Sequence, residues 1–479
     1  MNRPVTSRWW IMLLVLPLAG CALAEKWPSP VPWFANESAQ KVEILSPEFS
    51  ETQRWWVIFN DPLMDPLIDK LLAQNLDMKI AESRVREARA LNATVASGLF
   101  PQVNLGGSAG RGNSQLGATK PVSVLEGGFD ASWEIDLFGA TRSAIEASEA
   151  SSRATLASAE DVRNRLIAEL LRSIVLWRQS NETLRVTRAL IEVQDEQVAI
   201  FAARVNGGLI GDAELARARA QREQTAVALP LARAERRSAQ YQIEALMGQK
   251  PGSLSAFLKP HADTPLNVPP VPELASYDVA VIRARPDVRA AREEMIAAQA
   301  DLAVAEAKLW PSINIGGFFG LRDVSGKVST AENPIWSLAA DVSAPLLDFG
   351  RLSGQVDASN ARAEAATLRY EQKVIGALQE ARTAFSETLE SVNAMRIQQR
   401  ALEGREDASN LEMDRFRNGL TDMTNLTTAE TERVRASLQL ILARGNAANA
   451  SIRYYKALGL AVLMPKNDET QPADVLVKK

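Results

Sequence analysis

Four stretches of the chain alternate between apolar and polar side chains with a period of two. In 102–110, Val103, Leu105, Gly107 and Ala109 alternate with Gln102, Asn104, Gly106 and Ser108. In 128–137, Phe129, Ala131, Trp133, Ile135 and Leu137 alternate with Asp130, Ser132, Glu134 and Asp136. In 312–321, Ile313, Ile315, Gly317, Phe319 and Leu321 alternate with Ser312, Asn314, Gly316 and Phe318. In 336–346, Trp336, Leu338, Ala340, Val342, Ala344 and Leu346 alternate with Ser337, Ala339, Asp341 and Ser343. This period puts successive side chains on opposite faces of a strand. It predicts strands over about 101–112, 127–137, 311–322 and 335–346, with hairpin loops near 111–126 and 322–334. About ten residues is the length of a tilted strand crossing a bilayer. Aromatic residues stand at the strand ends, Phe100 and Trp310 before and Phe138 and Phe349 after, where an interfacial girdle belongs. The same alternation also suits four strands of a soluble sandwich with one buried face.

Elsewhere the period is helical. From Gly139 to Arg204 and from Gly350 to Arg415 there is no proline, and Ala, Glu, Arg, Leu and Gln dominate. Helices are predicted over about 140–206 and 351–417, each a rod of roughly 100 Å at 1.5 Å per residue. Shorter helices follow over about 212–247 and 422–458. No globular core needs a 100 Å rod, and recurring alanines suit close coiled-coil packing.

The chain is internally duplicated. Asn75-Leu76-Asp77-Met78-Lys79 returns as Arg285-Pro286-Asp287-Val288-Arg289, and Leu99-Phe100-Pro101 as Leu309-Trp310-Pro311, both 210 residues on. Phe138-Gly139, Gly208-Leu209 and Gly248 return as Phe349-Gly350, Gly419-Leu420 and Gly459, 211 residues on. One offset, changing once, marks a repeat and not chance likeness between alanine-rich helices. The expected organisation is a first repeat over 63–250, a proline-rich linker over 251–272, a second repeat over 273–460 and a tail over 461–479.

Composition narrows the function. The 479 residues carry a net charge of −4 with 23% charged side chains, which gives no basic face for nucleic acid. One cysteine, Cys21, and one histidine, His261, exclude an intrachain disulfide, a thiolate cluster and a histidine-rich zinc site. No catalytic residue, metal site or cofactor is expected. Gly106 to Gly112 is glycine-rich, yet no helix N-terminus follows it to cradle a phosphate. Residues 1–20 read as a signal peptide: Arg3 and Arg8 precede the apolar run Trp9 to Leu18, which is too short to span a bilayer. Leu18-Ala19-Gly20-Cys21 resembles the bacterial lipobox, whose cysteine is acylated, so Cys21 is the expected lipidation site and 21–62 a lipid-anchored periplasmic segment. Alanine at position 22 fits sorting to the outer membrane. The alternative is an ordinary signal peptide with a chance cysteine.

Four strands cannot stand alone in lipid, because open edges leave backbone groups without partners. Two copies would give eight strands and a filled interior, and three copies give twelve and an aqueous channel. All helices then lie on one side of the membrane, so the expected fold class is an α+β membrane protein. A trimeric 12-stranded outer-membrane β-barrel, four strands per chain, is continued by a long periplasmic α-helical coiled-coil barrel.

Arg285-Pro286-Asp287-Val288-Arg289-Ala290-Ala291, Leu309-Trp310-Pro311-Ser312-Ile313 and Leu347-Asp348-Phe349-Gly350 resemble the outer membrane factor family of TolC-like and OprM-like efflux lipoproteins, NodT type included. The resemblance runs from Cys21 to about residue 460. It implies a homotrimeric exit duct in the outer membrane. The duct receives drugs or other small molecules from an inner-membrane transporter of RND or ABC type through a periplasmic adaptor. It also implies that Arg204, Gly208 and Leu209, with Arg415, Gly419 and Leu420, form the tips that an adaptor contacts. The family often carries an aspartate where this chain has Thr428, and Arg217 stands at the matching place in the first repeat. The gate candidates are therefore Asp212, Glu214, Arg217, Asp422, Thr424 and Thr428, with Arg204, Arg217 and Arg415 within reach of the acids along the sequence. A duct for an ABC-type exporter or type I protein secretion and a periplasmic coiled-coil structural lipoprotein are the alternatives.

Overall fold

The computed structural model describes residues 54–112, 121–271, 279–324, 327–328 and 334–459. The chain divides into units of residues 1–44 and 45–479, and every described residue lies in the second. Cys21, the signal segment 1–20, the tail 461–479 and parts of both hairpin loops lie outside the described residues.

The first repeat runs α1 (Met64–Gln74), α2 (Leu76–Ala96), β1 (Gln102–Gly112), β2 (Val122–Ile135), α3 (Ala140–Asn206), α4 (Asp212–Ala226) and α5 (Ala228–Leu246). The second runs α6 (Val279–Ala284), α7 (Pro286–Ala307), β3 (Ser312–Val324), β4 (Lys327–Val328), β5 (Ile335–Ser343), α8 (Arg351–Arg417) and α9 (Met423–Ala457). Both long helices have 67 residues. Each starts beyond a left-handed glycine, Gly139 at φ 83° and Gly350 at φ 88°, a conformation that other residues adopt only with strain.

Three element bounds differ from the sequence expectation, each for a physical reason. The helix expected over 212–247 is broken at Val227, because Pro230 has no N–H to give the Ala226 carbonyl one turn back. Strand β2 begins at Val122, not near 127, because it pairs with β1 as far as Gly112↔Val122 and the Gly127-Gly128 pair hides the alternation. Strand β5 ends at Ser343, not 346, two residues before Pro345, which cannot donate to a ladder.

The helices pack along their length. α3 lies against α2, α5, α7 and α9, and α8 lies against α7 and α9. On α8 the buried Ala363, Tyr370, Ala377 and Ala384 recur every seventh residue, the spacing of a coiled-coil seam. The buried residues of α3 keep the same spacing in Ser173, Ser180, Thr187 and Gln194, so small and polar side chains line that seam. Near the middle of α3 the fully buried Arg178 donates twice to Asp61, at 2.9 and 2.7 Å, and once to the His261 carbonyl. One guanidinium thus ties the N-terminal segment and the linker to the rod. The buried carboxylate of Glu244 holds the linker's start, accepting from the Gly252 and Leu254 N–H groups at 2.5 and 2.9 Å.

The repeat reappears in its contacts. Asn75 donates to the Leu246 carbonyl at 2.8 Å, and its counterpart Arg285 donates to the Ala457 carbonyl at 2.6 Å. In each repeat the residue before the second helix closes onto the last turn of the final helix.

Candidate channel wall and tips

The strands form one antiparallel sheet in the order β1-β2-β3-β5, with β4 paired to the end of β3. Register decides which side chains share a face. Leu105, Phe129, Phe319 and Trp336 stand in one row across the sheet, and Val103, Ala131, Gly317 and Leu338 in the next. All four apolar alternations therefore fall on the same face, and that face is bare: Leu105, Trp336 and Leu338 are 76%, 73% and 73% exposed. A buried face of a soluble sandwich would be covered, so the sandwich alternative fails on this point. The other face carries Gln102, Asn104, Asp130, Ser132, Glu134, Asn314, Ser337 and Asp341 by register, with Glu126 and Arg322 paired across β2 and β3. Among the described residues both outer strands, β1 and β5, keep an unpaired edge.

At the helix end of the sheet Phe138 stacks on Trp310, with centroids 5.4 Å apart and planes at 15°. The Trp133 indole donates to the Leu99 carbonyl at 3.0 Å. Asp136 accepts from the Thr141 and Arg142 N–H groups, and Asp348 from Gly350 and Leu352, so a carboxylate caps the start of each rod. Sequence reasoning placed Asp136 on the polar strand face and did not foresee its capping role.

At the far ends of the rods, Gly208 and Gly419 adopt φ 69° and 70°. Each closes a Schellman turn: Gly208 N–H to Val205 and Leu209 N–H to Arg204, then Gly419 N–H to Phe416 and Leu420 N–H to Arg415, all at 2.8 to 3.0 Å. The turns push Leu209 and Leu420 outward, 75% and 69% exposed. Arg204 lies over the Phe416 ring at 5.9 Å, joining the two tips. The pairs expected between tip arginines and tip acids do not form within the chain. Arg415 turns back to Glu412 at 2.8 Å, and Asp422 caps α9 by accepting from the Asn425 N–H at 2.9 Å. Thr428 donates to the Thr424 carbonyl on its own helix, and Asp212, Glu214 and Arg217 are exposed along α4.

A third cluster braces the second repeat. Besides the Ala457 carbonyl, Arg285 binds Asp287 and Glu380 at 2.9 and 2.7 Å, and Lys373 reaches Asp287 at 3.2 Å. Burial works against the Asp287 charge, yet the Arg285 and Lys373 cations outweigh it and hold its pKa below the usual carboxylate value. Asp161 is pushed the other way, first by burial and then by the charge of Asp287. The signs lead to opposite outcomes. Asp287 stabilises the fold above its unfolded pKa of about 3.9 and loses that contribution as pH falls below it. Asp161 costs stability while charged, and protonation relieves the cost. Thermal melting from pH 7 to pH 3 should find Asp287→Asn less stable at pH 7 with a flatter acid limb, and Asp161→Asn more stable at pH 7. Equal curves for both variants would refute the assignment.

Among the described residues no helix is long and apolar enough to cross a membrane, and no cluster of His, Cys, Asp or Glu suits a metal ion. A sheet apolar on one face and polar on the other, unpaired at both edges and carrying all its rods at one end, is the build of a membrane-channel subunit. A model of the outer membrane efflux protein family matches residues 67–249 and again 280–460, once per repeat. Nodulation protein T of Rhizobium leguminosarum bv. trifolii is 26% identical over 418 residues, 85% of this chain and 87% of that protein. The pyoverdine export outer membrane protein OpmQ of Pseudomonas aeruginosa is 28% identical over 437 residues, 86% of this chain and 88% of that protein. The solved outer-membrane channel OprN superposes with a TM-score of 0.77 at 30% identity, covering 85% of this chain and 92% of that one. VceC of Vibrio cholerae shares the fold at 19% identity, with a TM-score of 0.74 over 85% of this chain and 98% of that one. The chain belongs to the outer membrane efflux protein family. It is an outer-membrane channel protein that extends into the periplasm.

Proposed function

We propose that three copies of this chain close into one duct that carries small molecules from an inner-membrane transporter, through a periplasmic adaptor, out of the cell. The observation that carries this reading is the sheet: one continuous apolar face bare to its surroundings, and two edges that only further strands can satisfy. Three sheets give twelve strands, enough for an aqueous interior. A periplasmic structural lipoprotein would have no use for such a sheet. Several relatives are named for pyoverdine export or toluene efflux, which favours small-molecule cargo over protein secretion.

In this reading Leu209 and Leu420 are apolar knobs presented to adaptor hairpins by the Gly208 and Gly419 turns, with Arg204 and Arg415 beside them. Threefold symmetry gathers Asp212, Glu214, Arg217, Asp422, Thr424 and Thr428 around the axis, where they line the closing end. Cys21 carries the lipid anchor. Purified protein should run as a trimer and conduct in planar bilayers, and its mature N-terminus should carry a diacylglyceryl thioether on Cys21 by mass spectrometry. Leu209→Glu with Leu420→Glu should keep trimer and conductance while abolishing capture by the adaptor and drug export in cells. Normal export by that double variant would remove the tips from the docking site, and a monomer without conductance would sink the duct itself.

A further inference from the structure

Internal duplication carries a simple expectation: a contact made by one repeat has its counterpart in the other. Helix α3 packs on both return helices, α5 of its own repeat and α9 of the second. Helix α8, its counterpart, packs on α9 but not on α5. The same gap recurs one level along the rods, where α3 packs on both α2 and α7, and α8 on α7 alone. The contacts thus run in two open rows, α5-α3-α9-α8 and α2-α3-α7-α8, with the missing pairs at the row ends. Those ends continue the sheet: α2 leads into β1 and β5 leads into α8, the strands with unpaired edges among the described residues. A second copy of the chain supplies both missing pairs at once, by placing its α2 and α5 against α8.

The repeat offset says which residues then meet. Within the chain a Cβ built on Gly445 of α9 would stand 2.5 Å from the Gln179 side chain of α3, so the two helices touch there. The counterparts 211 residues away are Ala234 on α5 and Glu390 on α8. Each belongs to a row at alternating steps of three and four residues, the spacing of a coiled-coil seam. The rows are Leu231, Ala234, Ser238 and Tyr241 on α5, and Glu390, Ala394, Ile397 and Ala401 on α8. All of them are exposed, so neither seam has a partner among the described residues. Set on Ala234, Glu390 falls between Arg233 and Arg237, which stand one turn apart on the same side of α5.

The charges match as well. Arg233 and Arg237 are exposed, Arg236 is half-buried beside them, and among the described residues none of the three meets a carboxylate. Burial, and then the charges of Arg188, Arg237 and Arg233, lower the Arg236 pKa, the mark of a cationic patch without a counter-charge. Glu390 meets no cation among the described residues. We propose, on the duct reading, that Glu390 of one copy docks between Arg233 and Arg237 of the next and is the charge by which the chain recognises its own kind. A partner chain with a cation at this place is refused, and in a closed ring every copy makes the contact once in each role. In the competing account these are solvated surface charges, indifferent to assembly.

Cross-linking and charge reversal on the whole chain separate the two accounts. Leu231→Cys with Ala394→Cys, one layer along the same pair of rows, should oxidise to a covalent trimer on a denaturing gel, and neither single variant should. Glu390→Arg should lose most of its trimer in detergent, Glu390→Gln should lose less, and adding Arg233→Glu and Arg237→Glu to Glu390→Arg should restore assembly. The proposal is overturned if the cysteine pair assembles as a trimer without cross-linking. It is overturned equally if Glu390→Arg assembles as well as wild type, or if the triple variant recovers no trimer. Wild-type protein that is monomeric in detergent and never conducts would instead overturn the duct reading.

Discussion

Arg178→Ala is expected to destabilise the folded chain by about 3–5 kcal/mol, the usual cost of leaving one member of a buried ion pair without its partner. The side chain is fully shielded from solvent, and its removal strands Asp61 and the His261 carbonyl. Asp61 precedes the helix that packs on the rod, and His261 lies in the linker between repeats, so both would lose their fixed point. Arg178→Met with Asp61→Leu should lose much less, because an apolar pair leaves no uncompensated charge. Denaturant midpoints of the detergent-solubilised protein measure both. A wild-type midpoint for Arg178→Ala would show that the clamp holds nothing.

Arginine on the two faces of the sheet should part company by a similar margin. Leu338→Arg or Ala131→Arg puts a charge on the apolar face at mid-strand, at a cost of about 2–4 kcal/mol per site near the bilayer midplane. In the proposed trimer each change occurs three times. Ala339→Arg and Ser132→Arg, one residue along, point to the polar face and should be tolerated. Folded trimer recovered after reconstitution gives the comparison, and equal losses at neighbouring positions would contradict the assigned faces.

The elements read from the sequence were those with long unbroken patterns. Sixty-odd residues without proline announce a rod, and a glycine at each end announces where it stops, because helix geometry is local. Strand faces were legible for the same reason: alternation assigns Leu338 and Ala339 to opposite faces before any partner strand is known. Pro230 was visible too, though its effect on the helix around it was passed over. What stayed hidden depends on pairs distant in sequence. Nothing periodic connects Asp61 to Arg178, or Arg204 to the Phe416 ring. Asp422 meets the unpaired backbone N–H groups of the helix it precedes, and whether it also faces an arginine of a neighbouring tip depends on a further copy of the chain.

The register of β2 with β3 has a consequence for biogenesis. The hairpin of the first repeat meets the hairpin of the second through Phe129↔Phe319 and its neighbours, partners about 190 residues apart. Contacts at such separation form late, because the chain between must first be ordered or at least confined. The first hairpin therefore crosses the inner membrane and waits, its apolar side open to water, while α3, α4, α5 and the linker are still being delivered. Exposed strands of this kind adhere to one another. Safe passage thus calls for an escort that holds the early hairpin apart until Ser343 has emerged. The timing of insertion is written into the distance between the two halves of the sheet.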